Sequence, residues 1–78
     1  MSEKADSSLV RLLAVLDLFS DLRPSWSAEA IAEALQVSLP TGYRYVKVLA
    51  ESGLLQRSAG SQYALGPRII VLDHYIRK

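Results

Sequence analysis

Residues 37–53, VSLPTGYRYVKVLAESG, restrict the possible folds of this chain more than any other stretch. Ser38 can cap a helix by accepting a hydrogen bond from a free backbone N–H. Pro40 suits the first turn, where its missing N–H is no loss, and Gly53 can adopt the left-handed conformation that ends helices. A helix over residues 39–51 is therefore bounded at both ends. Within it, Gly42, Tyr45, Val46 and Leu49 follow the spacing of a buried face. That leaves Thr41, Arg44, Lys47 and Val48 pointing away and Tyr43 at the margin near the helix start. A helix that only supported a core would have no need of two tyrosines and two cations so arranged.

The surrounding chain supplies partners for that buried face. Leu9, Leu12, Leu13, Leu16 and Phe19 have the three-and-four spacing of an amphipathic helix over 9–20, capped by Ser7 or Ser8. Residues 1–7 are expected to be a disordered lead-in. Val10, Ala14, Val15 and Leu18 make the opposite side of the helix apolar too, so either a partner subunit or the rest of the chain covers it. Pro24 disfavours helix in the residue before it, and Ser25-Trp26-Ser27 is short and extended, with Trp26 expected to pack inward. Ser27 caps a second helix, 28–36, with Ile31 and Leu35 facing inward and Gly42 admitting it closely near Ile31 and Ala32. After Gly53 the period changes. Leu54–Arg57 and Gln62–Leu65 read as strands around the small polar turn 58–61. Gly66-Pro67 breaks the hairpin, and helical spacing returns with Ile69, Leu72 and Ile76 on one side. That helix looks unfinished at Lys78, which suggests a fragment of something longer.

Composition excludes several function classes. The 78 residues, half of them hydrophobic, suit one small domain with a core. Without cysteine there is no disulfide scaffold, thiolate zinc site or cysteine nucleophile. The one histidine, His74, reads as a surface or interface residue, and no phosphate loop or nucleophile constellation accompanies it. No enzyme activity, metal or cofactor is expected. No stretch approaches the roughly 20 apolar residues that span a bilayer, and the N-terminus is not a signal peptide, so a cytoplasmic location with no membrane partner is expected. Charge is divided unevenly: residues 1–38 hold three cations against six acids, and residues 39–78 hold six against two. Such asymmetry hints at a polyanion partner.

Two helices joined by a short turn and followed by a hairpin form a helix-turn-helix with a wing. The expected fold is mainly α with a small β-hairpin: a three-helix core, the wing, then a linker helix. Its parts are the lead-in 1–7, the winged helix-turn-helix 8–66 (helix-turn-helix about 28–52, wing about 54–65) and the start of a linker helix 67–78. The expected function is sequence-specific binding of double-stranded DNA, with helix 39–51 in the major groove. Arg44 can pair bidentately with guanine, Thr41 can touch a thymine methyl or a phosphate, and Lys47 suits the backbone. Tyr43 carries a hydroxyl that can reach phosphate and a ring that can pack on sugars. Ser38, Leu39 and Pro40 lie at the same end of the helix. Ser27 could bind phosphate at the second helix's start. Arg57, Gly60 and Ser61 of the wing could reach phosphates or the minor groove. Two alternatives stand: a winged-helix regulator with a different dimer interface, or a winged-helix module that binds protein rather than reading DNA.

Thr41-Gly42-Tyr43-Arg44, Leu49 with Glu51-Ser52-Gly53-Leu54-Leu55, and Tyr63-Ala64-Leu65-Gly66-Pro67-Arg68 together resemble the N-terminal winged helix-turn-helix domain of the IclR family of bacterial transcription regulators. The likeness covers roughly Ser8 to Asp73. It implies a homodimer through helix 9–20 and the helix after Pro67, bound to a pseudo-palindromic operator, acting as repressor or activator. It also implies a small-molecule effector bound by a C-terminal domain absent from these residues. The recognition role falls to Thr41, Tyr43, Arg44 and Lys47, and the wing role to Arg57. The chain departs from the family pattern in three places: Ala30 stands where a capping-box Glu is common, with Glu29 one place early; Gln36 stands where the turn often has glycine; and the wing tip is short of charge.

Overall fold

The computed structural model describes residues 3–77, in the order α1 (Glu3–Asp17), β1 (Trp26–Ser27), α2 (Ala28–Leu35), α3 (Leu39–Glu51), β2 (Leu55–Ser58), β3 (Gln62–Leu65) and α4 (Pro67–Arg77). This is a winged helix-turn-helix, and its central pair starts where the serines dictate. The Ala30 N–H donates to Ser27 Oγ at 3.1 Å, and the Thr41 N–H donates to Ser38 Oγ at 3.3 Å. Each hydroxyl thus satisfies one of the amides that a first turn leaves free. Between the helices Gln36 occupies the left-handed region at φ 57°, and the Val37 N–H reaches back to the Ala32 carbonyl at 3.0 Å. That closure is the one glycine usually makes. It stops α2 at Leu35, one residue before the expected end.

Helix α3 buries Gly42, Tyr45, Val46 and Leu49, the face its spacing implies. A Cβ added at Gly42 would lie 2.7 Å from the Ala32 Cβ, so the absence of a side chain is what lets α2 and α3 meet. Around that contact Val15, Phe19, Trp26, Ile31, Val46, Leu49 and Leu55 form one core. Phe19 and Trp26 meet as tilted rings 6.4 Å apart, and the Arg23 guanidinium lies 3.5 Å over the indole, a cation–π arrangement.

Three expectations change in α1. It begins at Glu3, so residues 3–7 are helical, not a disordered lead-in; Met1 and Ser2 lie outside the described residues. Glu, Lys and Ala are good helix formers, and Ser7 and Ser8 continue the helix instead of capping it. At the other end the helix stops at Asp17, not at 20. The Leu18 and Phe19 amides bond to carbonyls three residues back, at 3.2 and 3.4 Å, and Ser20 and Arg23 exchange two backbone bonds of 3.2 Å. This tight turn satisfies the groups that a longer helix would have used. The buried stripe also differs. Val15 and Phe19 enter the core with Leu12 and Leu16 beside them, whereas Leu9 and Leu13 are more than half exposed. Leu9 lies one turn further out along the stripe, and Leu13 lies to its side.

The hairpin is part of a larger sheet. Strand β3 pairs antiparallel with β2 from Leu55↔Leu65 to Ser58↔Gln62 and with β1 at Trp26↔Tyr63 and Ser27↔Gln62, in the order β1-β3-β2. The wing is therefore fastened to the start of α2. Strand β2 begins at Leu55 instead of Leu54 because the Leu54 amide donates to the Leu49 carbonyl at 2.9 Å, closing α3. The Gly66 amide donates to the Leu54 carbonyl at 2.8 Å, and the Arg68 amide to the Gly53 carbonyl at 3.0 Å. A side chain at Gly66 would collide with the Gly53 carbonyl, so this crossing, which joins both ends of the wing, requires glycine.

If the α2–α3 approach depends on a bare Cα, Gly42→Ala should lower unfolding stability by about 1–3 kcal/mol through overpacking. Adding Ala32→Gly should recover part of that loss, as read by urea denaturation.

Candidate nucleic-acid interface

With its inner face committed, α3 turns Tyr43, Arg44, Lys47 and Val48 to solvent, and Thr41 is half-buried at their edge. Leu39 and Pro40, in the first turn, are exposed. Among the described residues the one salt bridge is Arg77–Asp73 within α4, so neither Arg44 nor Lys47 is neutralised by an ion pair there. The outward side of α3 is thus a cationic strip on a rigid element.

Two concavities divide the expected site residues. The first, of about 500 Å³, is lined by Ser38, Thr41 and Arg44 of the turn and α3, together with Ser8 and Arg11 of α1 and the Gln36–Val37 turn. The second, of about 160 Å³, brings Tyr43 together with Arg57 and Ser61 of the wing, Ala28 and Glu29 of α2, and Tyr63. Ser27, Leu39, Pro40, Lys47 and Gly60 line neither. Arg57 is exposed, with its guanidinium 5.8 Å from the Tyr63 ring centroid. Gly60 and Ser61 make the exposed wing tip, both at positive φ.

The hydroxyls are less free than the sequence implies. Ser27 Oγ is half-buried and engaged as a cap. Ser38 Oγ accepts from the Thr41 amide and also donates to Thr41 Oγ1 at 2.9 Å, so the two side chains orient each other. Tyr43 OH donates to Glu29 Oε2 at 2.9 Å, tying α3 to the first turn of α2.

Glu29 on α2, with Ser8 and Arg11 on α1, also belongs to this surface, beyond the residues expected from the sequence. The position of Glu29, one place ahead of the usual capping-box site, was a visible signal. The spacing of Ser8 and Arg11, three apart on α1, was a weaker one. The Glu29 carboxyl is held below the usual carboxylate range, first by its own backbone N–H at the α2 N-terminus and then by the Tyr43 hydroxyl. The same bond, followed by the carboxylate's charge, raises the Tyr43 phenol.

The IclR helix-turn-helix domain family matches residues 8–59. Solved structures agree over nearly the whole chain. An IclR-family protein from Rhodococcus sp. is 25% identical with a TM-score of 0.82, over 88% of this chain and 27% of that one. The IclR of Thermotoga maritima is 26% identical with a TM-score of 0.80, over 90% and 28%. An IclR homologue from Microbacterium hydrocarbonoxydans, complexed with 4-hydroxybenzoate, is 28% identical with a TM-score of 0.76, over 83% and 27%. The chain therefore spans little more than a quarter of the length of these relatives. No curated protein matches it.

A lowered Glu29 pKa contributes stability that is full above the ordinary carboxylate range and is lost as pH falls through the folded-state value. Glu29→Gln lacks that contribution. The gap in urea midpoint between the parent and this variant should accordingly be widest near neutral pH and close in acid.

Proposed function

The chain belongs to the IclR helix-turn-helix family, and from that premise we propose that it reads a specific sequence in double-stranded DNA through the outward face of α3. DNA-binding transcription regulation is the business of the family; the finer reading rests on one observation. Gly42, Tyr45, Val46 and Leu49 are all buried, while Tyr43, Arg44 and Lys47 all face solvent. An α-helix fits the major groove, about 12 Å wide, and α3 offers it the N-terminal, outward end that helix-turn-helix domains use for base edges.

In this reading Arg44 pairs with guanine N7 and O6, and Thr41, oriented by Ser38, meets a thymine methyl or a phosphate. Lys47 supplies a backbone contact, and Leu39 and Pro40 pack along the groove wall. Ser38 serves through the helix start it caps, where the remaining free amides favour phosphate, while Ser27 serves by fixing the start of α2 beside Glu29. Arg57, Gly60 and Ser61 take the wing to adjoining phosphates or the minor groove, with Arg57 as the charged member. Arg11 shares a concavity with Arg44 and adds a cation from α1 to the same surface.

The DNA-binding unit is a homodimer on an inverted repeat. Support comes from apolar side chains left exposed on both helices the interface would use: Leu9, Val10 and Leu13 on α1, and Ile70, Tyr75 and Ile76 on α4. A small-molecule effector would be bound by chain outside these residues, since the relatives are much longer. No helix among the described residues is long and apolar enough to cross a membrane.

Random-site selection followed by titration of the recovered duplex tests the assignment. Arg44→Ala should cost about 1–3 kcal/mol on that duplex and relax preference at one base position. Lys47→Ala should weaken binding to all duplexes alike and flatten the salt dependence. Unchanged affinity for Arg44→Ala would remove the base-reading role from α3.

A further inference from the structure

Of Tyr43, Arg44 and Lys47 on the outward face of α3, it is Tyr43 whose polar atom is already engaged by the protein. Tyr43 is about half exposed, yet its hydroxyl lies 2.9 Å from Glu29 Oε2 on a neighbouring helix. A phenol has a single proton to donate. Here a carboxylate takes it, and hydrogen bonds to ionised acceptors are roughly twice as strong as neutral ones. To donate to a DNA phosphate, Tyr43 would have to abandon that bond for another anionic acceptor with no gain in bond type. With its proton so used, Tyr43 offers DNA its ring and no hydrogen-bond donor.

The carboxylate has a second effect. Glu29 stands in the corner between the recognition helix and the wing, lining the same small concavity as Tyr43, Arg57 and Ser61. A phosphate brought to that corner meets a fixed negative charge. Like charges brought within a few ångströms repel even at the dielectric of bulk water. The cation of the corner, Arg57, sits on the wing side, its guanidinium toward the Tyr63 ring. The side of the corner at Glu29 and Tyr43 therefore suits an uncharged part of the duplex, a thymine methyl or a deoxyribose, and penalises any register that would drive the backbone against Glu29, leaving phosphate contacts to the wing side at Arg57.

We propose that Glu29 is a positioning residue of the DNA interface, holding the Tyr43 hydroxyl so that the ring meets the duplex and keeping phosphate off the α2 side of the corner between α3 and the wing. The pair then contributes discrimination between sequences more than affinity. This rests on the DNA-reading assignment of α3, and the experiment separates the two.

The full 78-residue chain and its variants are titrated with the duplex recovered by site selection and with a scrambled duplex of equal length, at one salt concentration. Tyr43→Phe keeps the ring and should stay within about threefold of the parent on the selected duplex, while Tyr43→Ala should lose about tenfold, the scale of one good contact. Glu29→Gln keeps a hydrogen-bond acceptor without the charge. It should bind the scrambled duplex roughly threefold tighter, from the repulsion removed, so that the selectivity ratio falls. Tyr43→Phe losing as much as Tyr43→Ala would mean that the hydroxyl itself contacts DNA and would overturn the proposal. So would a Glu29→Gln chain with an unchanged or higher selectivity ratio. Arg44→Ala serves as the control arm: if it binds the selected duplex like the parent, the DNA-reading assignment falls; if it weakens while the other variants miss their expected values, only the role of Glu29 and Tyr43 falls.

Discussion

The approach of α3 to α2 at Gly42 and Ala32 is the contact from which the other features of this molecule follow. At that distance no side chain can intervene, so the rotation of α3 about its own axis is set by backbone packing and not by adjustable side chains. Tyr45, Val46 and Leu49 then fill the space on either side, over Ile31 and Leu55. Once those four positions are committed, the period of the helix leaves Arg44 and Lys47 no direction but outward. The cationic strip is a geometric consequence of a core contact.

The wing follows from a similar economy. Strand β1 is two residues long, but it lies between α1 and α2 in sequence and pairs with β3 in space. It thereby fixes the hairpin against the start of α2, while the Gly53–Leu54 and Gly66–Arg68 crossing fixes the other end against α3. Wing and α3 are thus positioned by neighbouring parts of one small core, and the corner between them, where Glu29, Tyr43 and Arg57 gather, has a defined shape.

How much of this could be read from the sequence depended on the range of the interactions involved. The limits of α3 and its buried face were legible because Ser38, Pro40 and Gly53 act locally and the apolar spacing is regular. That Gln36 stands at a glycine-like position was legible only from the resemblance to the family, and it does take a positive φ. Ser25-Trp26-Ser27 was legible as extended, but its pairing was not: Trp26 and Ser27 are too few to show alternation, and the partner of Trp26 lies 37 residues away in the register Trp26↔Tyr63. The start of α1 was misjudged because serine signals a cap only when no helix former precedes it. The Tyr43–Glu29 bond spans two helices, which no local pattern reveals, and it changes what Tyr43 can offer a ligand.

On the proposed function, DNA meets the exposed flank of α3 and not the apolar surfaces of α1 and α4. Backbone amide NMR spectra recorded while a site-selected duplex is added to the chain distinguish the two. The largest shifts should fall on residues 38–47 and on the wing around Arg57 to Ser61, with the buried side of α3 following more weakly. Shifts concentrated on α4 and the outer side of α1, with residues 38–47 silent, would rule this out.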